Sequence, residues 1–147
     1  MIDLRFPTAL QLMLSLALAR AEGVERLTSS HLAEGVHSNP TMVRRLLAPL
    51  LQAGLVTSSK GREGGVSLGC DAAAITLKDI YGAVMGDRKL WSARTDIPHR
   101  CTVSCNMEPF FDGLTARVDD AVLESLDAMT LADSLAELRR LEAIRTA

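Results

Sequence analysis

The sequence predicts a mainly α-helical fold: a winged helix-turn-helix domain, with a small β-hairpin as its wing, followed by a long dimerisation helix. The composition favours helices, since hydrophobic residues make up 48% of the 147 residues and aromatic residues only 3%. Two short helical segments meet at a tight turn before Pro40, and the glycine-rich stretch SSKGREGGVSLG follows them. Nearer the C-terminal end, an apolar repeat is longer than one small domain can cover.

The first predicted helix covers about residues 6–21, with Pro7 in its first turn, where a missing N–H costs little. The stretch ALQLMLSLALARA resembles the core of a signal peptide, but Gln11 and Ser15 interrupt its apolar run at helical spacing. The run is also too short to span a membrane. We therefore expect a buried core helix and no membrane association.

A helix-turn-helix is predicted next. A short helix fits residues 28–36, with Thr28 as its N-cap, and either Ser38 or Asn39 caps a following helix that has Pro40 at its first position. Two helices joined by so short a connection form the helix-turn-helix pattern.

The second of these helices has two distinct faces. Its apolar stripe consists of Val43, Leu46, Leu47, Leu50 and Leu51. The opposite face carries Thr41, Arg44, Arg45, Ala48 and Gln52. The first three of these polar positions lie near the N-terminal end, which a recognition helix presents to base edges.

The charge distribution supports a nucleic-acid surface, although the net charge is only −2. From Gly35 to Arg62 the chain has four cations and no acid. From Val118 to Leu138 it has six acids and no cation. This uneven distribution predicts that a basic functional surface lies at one end of the protein and an acidic surface at the other.

The glycine-rich stretch predicts a β-hairpin between strands at residues 55–57 and 66–68. Gly61, Gly64 and Gly65 permit positive φ angles in its loop. A phosphate-binding loop of the nucleotide type is not indicated, because no GK[ST] ends the stretch. A hairpin directly after a recognition helix is a wing, and its cations Lys60 and Arg62 are expected along a phosphate backbone.

Three further segments follow the wing in the prediction. Thr76 and Asp79 form a capping box for a helix reaching about Met85, and residues 86–105 show no periodicity and are predicted to be a loop. A helix of roughly 35 Å over residues 106–129 follows. Its apolar positions are Phe110, Phe111, Leu114, Val118, Ala121, Val122, Leu126 and Met129. That length predicts a second subunit as partner.

The last predicted helix starts at Thr130, which pairs with Asp133 as a second capping box. Its apolar positions are expected to face inward, and they are Leu131, Leu135, Leu138 and Leu141.

The three cysteines form no regular framework, which argues against a disulfide scaffold and favours a reducing, cytoplasmic location. Cys101 and Cys105 lie in HRCTVSCNM, just before the long helix, so chemistry at these thiols could shift it. Neighbouring His99 and Arg100 could lower a thiol pKa. Two ordinary small residues in a loop are the alternative interpretation. Cys70, after the wing, is expected to be a buried packing residue.

The order of elements, with LAEGVHSNPTMVRRLLAPLLQAGLV, GREGGVSLG, ITLKDIYGAV, a cysteine-bearing loop and TLADSL, resembles the Rrf-two family of bacterial winged-helix regulators. The resemblance runs from about residue 4 to residue 138. It implies a dimeric transcriptional regulator, usually a repressor, that binds palindromic operators in double-stranded DNA. It also implies that the positions near DNA are Ser38, Asn39, Thr41, Arg44, Arg45, Lys60, Arg62 and Gly64.

On this basis we divide the chain into a DNA-binding domain (1–85), a sensor loop (86–105) and dimerisation helices (106–147). Cluster-binding relatives carry three cysteines in the loop before the long helix, whereas this chain has two there. An iron–sulfur cluster would therefore need His99 or acidic residues, from this subunit or another, to complete its ligands. We expect no metal and a redox signal at Cys101 and Cys105, with a cluster or a small-molecule ligand as alternatives.

An enzyme is the competing class. A thiol oxidoreductase would carry CxxC at a helix start, and a hydrolase would carry a placed Ser, His and Asp. The chain has CxxxC and no such constellation, so we expect it not to be an enzyme.

Overall fold

The computed structural model describes residues 2–147 and confirms the mainly helical prediction with a hairpin wing. The helices are α1 (Arg5–Ala21), α2 (Ser29–Gly35), α3 (Pro40–Gln52), α4 (Leu77–Met85), α5 (Thr102–Asp127) and α6 (Leu131–Thr146). The strands are β1 (Val56–Ser59) and β2 (Gly65–Leu68), and a 3₁₀ turn covers Ala72–Ala74. No helix among residues 2–147 is long and apolar enough to cross a membrane.

Side-chain caps explain where most of the helices begin. The hydroxyl of Thr28 accepts a hydrogen bond from the backbone N–H of His31, and the amide oxygen of Asn39 accepts one from Met42. Asn39 rather than Ser38 is therefore the N-cap of α3. The capping boxes predicted at Thr76 and Thr130 are both formed.

The core lies between α1 and the elements packed around it, namely α3, α4, α6 and β2. From α1 it receives Ala9, Leu12, Met13, Leu16 and Ala17. From α3 it receives Val43, Leu46, Leu47 and Leu50, and this burial leaves the polar face of α3 outside. Leu51, predicted to belong to the apolar stripe, is instead exposed at the end of that helix.

The long helix begins four residues earlier than predicted and ends at Asp127. The hydroxyl of Ser104 accepts hydrogen bonds from the backbone N–H groups of Arg100 and Cys101, at 2.8 and 3.0 Å, and so caps this end. Cys101 is therefore the N-cap of α5 and Cys105 lies within its first turns. With 26 residues, α5 is roughly 39 Å long.

The inward prediction for α6 is correct only for its first half. Leu131 and Leu135 are buried, whereas Leu138 and Leu141 are 46% and 47% exposed. The reason is that α6 packs on α1 and the 3₁₀ turn near its start, and no other element of residues 2–147 covers its outer half.

Gly82→Ala in α4 is expected to stabilise the chain by about 0.5–1 kcal/mol, because a Cβ there would meet nothing within 4 Å and alanine loses less backbone entropy than glycine. Gly86→Ala is the matched comparison at the end of the same helix, where φ is +60° and alanine would be strained. Urea unfolding should place the two variants on opposite sides of the parent, and a destabilised Gly82 variant would contradict the prediction.

Candidate nucleic-acid interface

The N-terminal half of α3 displays the polar face that the sequence predicted. Thr41, Arg44 and Arg45 are all exposed, because their neighbours Val43, Leu46 and Leu47 anchor the opposite side of the helix in the core. Pro40 occupies the first position of the helix. The polar side chains of the first two turns therefore point away from the protein.

The turn into α3 is built on an unusual backbone. His37 adopts a positive φ of 49°, the only such non-glycine residue among those described. The backbone N–H of Ser38 then donates to the carbonyl of Ala33, at 2.9 Å. Ser38 and Asn39 are both exposed beside the start of α3. The left-handed histidine was not predictable from the sequence, since glycine or asparagine is more usual at such a position.

The wing is an antiparallel hairpin in the register Val56↔Leu68 to Ser59↔Gly65. Val56, Val66 and Leu68 are buried and attach the hairpin to the core. The side-chain hydroxyls of Thr57 and Ser67 are paired across the strands at 3.0 Å. Lys60 and Arg62 lie exposed in the loop that joins the strands.

The wing glycines differ in why glycine is needed. Gly61 and Gly65 have positive φ angles, as predicted. Gly64 does not, so that prediction was wrong. Its requirement is space: a Cβ at this position would lie 2.5 Å from the carbonyl oxygen of Ser59 and 2.9 Å from that of Gly61. Sequence alone cannot show such a close backbone approach.

Gly64→Ala is therefore expected to deform the wing while leaving the helical core folded. The obstructing atoms are backbone and cannot rotate away, so the loop carrying Lys60 and Arg62 must move. DNA affinity should fall in a mobility-shift titration while helical circular dichroism is retained. Unchanged affinity would mean that the shape of the wing does not matter for binding.

The cations of this surface are uncompensated. Within residues 2–147, none of Arg44, Arg45, Lys60 and Arg62 forms a salt bridge or donates a side-chain hydrogen bond. Five arginines elsewhere are paired with carboxylates, but Lys78, Lys89, Arg100, Arg117 and Arg139 are also unpaired among residues 2–147. What sets the four cations apart is that they lie together on α3 and the wing, which pack against each other. The recognition helix and the wing together therefore present a field of unpaired positive charge.

The cysteine pair lies at the N-terminal end of α5. Cys101 and Cys105 are exposed free thiols, and the carbonyl of Cys101 accepts the backbone N–H of Cys105 at 2.9 Å. Hydrogen bonds from the backbone N–H of Ser104, from its hydroxyl and from the backbone N–H of Val103 lower the pKa of Cys101 below its usual value. These hydrogen bonds therefore favour the thiolate form of Cys101.

Cys70 is exposed, which corrects the prediction of a buried packing residue. It follows β2 in a surface turn. There its carbonyl, rather than its thiol, is bound, accepting a hydrogen bond from the Arg20 guanidinium at 3.2 Å.

The segment that leads to the cysteines is attached to α5. The hydroxyl of Thr115, a buried polar residue, donates to the carbonyl of Trp91 at 3.3 Å, and the backbone N–H of Leu90 donates to Asp119 at 3.3 Å. The ring of Trp91 lies 6.3 Å from that of Phe111. The sequence predicted only an aperiodic loop here, because nothing local signals these contacts.

An iron–sulfur cluster does not fit the donor set of one chain. Such clusters take four protein ligands, and the start of α5 supplies two thiols. Among residues 2–147, no three side chains of His, Cys, Asp or Glu come together in a way that could hold a metal ion. A cluster bound by one chain therefore has no part in the function of this protein as we propose it.

The chain matches known regulators over most of its length. The family model Rrf2, described as "Iron-dependent Transcriptional regulator", covers residues 2–137. The HTH-type transcriptional regulator CymR of Bacillus subtilis (strain 168) is 34% identical over 124 residues, which are 84% of this chain and 81% of CymR.

Solved structures agree with these sequence matches. The structure of CymR, the global cysteine regulator of B. subtilis, matches with a TM-score of 0.70 and 28% identity, over 93% of this chain and 97% of that chain. The oxidized form of Staphylococcus aureus CymR matches with a TM-score of 0.68 and 28% identity, over 92% and 95% of the two chains.

These matches confirm the resemblance to the Rrf-two family and exclude the competing prediction of an enzyme. The chain belongs to the Rrf2 family, whose members are DNA-binding transcriptional regulators.

Proposed function

We propose that the chain acts as a dimer on palindromic operators, as a repressor, with α3 in the major groove and the wing along the flanking phosphates. The observation that carries the proposal is the set of four unpaired cations on these two elements. Cations left without protein partners are available to phosphates and to guanine edges. Since a transcriptional regulator acts on DNA, we propose the bacterial cytoplasm as its location.

The proposed contacts divide into two groups. Thr41, Arg44 and Arg45 would reach base edges from the first turns of α3, with Ser38 and Asn39 against the backbone where the helix begins. The side-chain oxygen of Asn39 is occupied by its cap, which leaves its NH₂ group to donate. Lys60 and Arg62 would meet phosphates, with Gly64 beside them shaping the loop through its bond to the carbonyl of Gly61.

The dimer is proposed to form along the α5 seam, by which we mean Phe110, Leu114, Val118, Ala121, Val122 and Leu126. Within one chain Phe110 is 64% and Leu114 37% exposed. A groove of about 550 Å³ runs beside Leu114, Val118 and Leu126. A helix this long with an uncovered apolar face favours a symmetric partner helix.

A salt titration of DNA binding tests the proposal. A dimer would present two copies of the four cations, and the slope of log affinity against log salt could reach roughly −7. A mobility-shift series on a duplex selected by the protein from a randomised library gives this slope. A slope near zero would exclude binding through these cations.

A redox signal at the start of α5 is the second part of the proposal. Two thiols can lose two electrons and two protons to form a disulfide, while a peroxide oxidant accepts them to give water. Side chains four residues apart on a helix have Cβ atoms about 5–6 Å apart, whereas a disulfide needs about 3.5–4.5 Å. Joining Cys101 to Cys105 would therefore distort the first turn of α5. An oxidized form of S. aureus CymR has been solved, so at least one relative can be oxidized.

Mild oxidant is accordingly expected to change DNA binding reversibly. Cys101→Ser and Cys105→Ser should each blunt the response, and Cys70→Ser should affect it less. Mobility shifts with and without peroxide, followed by reductant, measure this. If the variant lacking both Cys101 and Cys105 responds as the parent does, a small-molecule signal replaces the redox one.

The lowered pKa of Cys101 gives a separate pH prediction. Because only the thiolate reacts, alkylation of Cys101 by iodoacetamide should reach its plateau at a lower pH than for an ordinary thiol. Ser104→Ala removes one of the hydrogen bonds that lower this pKa, so the plateau should move to higher pH. Peptide mapping after timed alkylation measures the rate, and an unmoved profile would show that Ser104 does not stabilise the thiolate.

A further inference from the structure

The chain before α2 makes contacts with the wing that the charge pattern did not suggest. Leu27 and Val66 exchange both backbone hydrogen bonds, at 2.9 and 2.7 Å, on the side of β2 opposite β1. Residue 27 thus forms an isolated bridge that extends the hairpin to a third segment. The next residue, Thr28, is the N-cap of α2.

Arg26 continues this attachment to the loop of the wing. One nitrogen of its guanidinium donates to the backbone carbonyl of Glu63 at 3.3 Å, across 37 residues of sequence. Glu63 follows Arg62 directly and shares a loop with Lys60. Among residues 2–147, Arg26 forms no salt bridge, and its guanidinium is hydrogen-bonded to this carbonyl rather than paired with a carboxylate.

The backbone is tightly fitted at the same place. A Cβ at Gly65 would lie 2.8 Å from the carbonyl oxygen of Leu27 and 3.3 Å from the Cβ of Arg26. Three consecutive residues thus contact three parts of the domain: Arg26 the wing loop, Leu27 the strand β2, and Thr28 the helix α2. The orientation of the wing is thereby coupled to the helix-turn-helix.

We propose that Arg26 is a positioning residue for DNA binding, which holds the loop carrying Lys60 and Arg62 at a fixed angle to α3. The proposal rests on the proposed function and adds a residue that does not itself need to touch DNA. A glycine-rich loop with two cations would otherwise lose conformational freedom on meeting the phosphates, and fixing it beforehand removes that cost.

The test compares Arg26→Met, which removes both charge and donor, with Arg26→Lys, which keeps a charged donor of similar reach. Arg145→Met, on the outer half of α6, is the matched control for loss of a cation. Affinity is measured on the duplex selected by the parent full-length chain. The methionine variant should bind roughly tenfold more weakly, as expected for losing one modest hydrogen bond in each of two protomers, and lysine should restore most of the affinity.

Hydrogen exchange in the free protein separates positioning from direct contact. The amide of Gly64, which donates to the carbonyl of Gly61 at 3.0 Å, should exchange faster in Arg26→Met and return toward the parent rate in Arg26→Lys. The amide of Leu131, bonded to Ile75 outside the wing, should not change.

Each other outcome overturns the proposal. Weaker binding with unchanged exchange at Gly64 would make Arg26 a direct phosphate contact. Faster exchange with unchanged affinity would make it merely structural. If the parent binds with a steep salt slope and Arg26→Met matches it in affinity and in exchange at Gly64, only the role of Arg26 is wrong. The proposed function would then stand. If the parent chain selects no duplex from the randomised library, the proposed DNA-binding function itself is wrong.

Discussion

Replacing Arg44 by alanine should cost more discrimination between the selected duplex and random DNA than replacing Lys60. Arg44 is exposed in the second turn of α3, the part of a recognition helix that reaches base edges. A guanidinium can pair with both acceptors of guanine, and such a pair is worth about 1–3 kcal/mol of discrimination. Lys60 lies on the wing, where an ammonium meets phosphates that are the same in every sequence.

The two variants are therefore expected to lose affinity for the selected duplex and for random DNA in different proportions. Arg44→Ala should weaken binding to the selected duplex about tenfold or more and weaken binding to random DNA far less. Lys60→Ala should weaken both to a similar extent and reduce the steepness of the salt dependence. Lys78→Ala, on α4, is a control for removing a cation outside the proposed surface. Equal losses on both duplexes for Arg44→Ala would remove the base-reading role of that residue.

Local signals in the sequence predicted most of this surface. A cap, a proline at the first helical position and an apolar stripe each act within one or two turns of chain, so α2 and α3 could be placed closely from residues 28–52. The capping boxes at Thr76 and Thr130 were predicted for the same reason. The proposed contact residues on α3 follow from these elements, because burying one face of the helix exposes the other.

Interactions between distant parts of the chain were not predictable in this way. The bridge between Leu27 and Val66 and the close approach behind Gly64 depend on how segments meet, and no local pattern encodes them. The start of α5 was misplaced because its cap combines Cys101 with the hydroxyl of Ser104, which is not a usual helix-start signature. Leu138 and Leu141 were assigned inward from periodicity, which identifies an apolar face but not the element that covers it.

That distinction matters most for the α5 seam, which we propose is covered by a second copy of the chain. Periodicity predicted the apolar face, and the single chain leaves Phe110 and Leu114 uncovered. The seam runs along about 24 Å of helix from Phe110 to Leu126, and leaving its apolar side chains in water is unfavourable. Burying them against a partner gains about 25 cal/mol for each Å² removed from solvent. The same seam would also set the distance between the two recognition helices.

Val118→Asp is therefore expected to convert the proposed dimer into a monomer or an aggregate. Val118 lies in the middle of the seam and lines the groove beside α5, so an aspartate there would be buried unpaired between the two helices. The cost of an unpaired buried charge is several kcal/mol, and about 3 kcal/mol already weakens association more than a hundredfold. Sedimentation velocity across a concentration series measures the change.

Ala116→Asp is the matched control, since residue 116 is exposed on another face of α5 and does not line that groove. It adds the same charge to the same helix and should leave the dimer intact. DNA binding should follow the oligomeric state, because the half-sites of the proposed palindromic operator would lie roughly one helical turn, about 34–36 Å, apart and would need two linked recognition helices. A Val118→Asp variant that sediments as the parent does would show that the seam contacts its own subunit, and the coupling between α5 and the spacing of the two α3 helices would lose its basis.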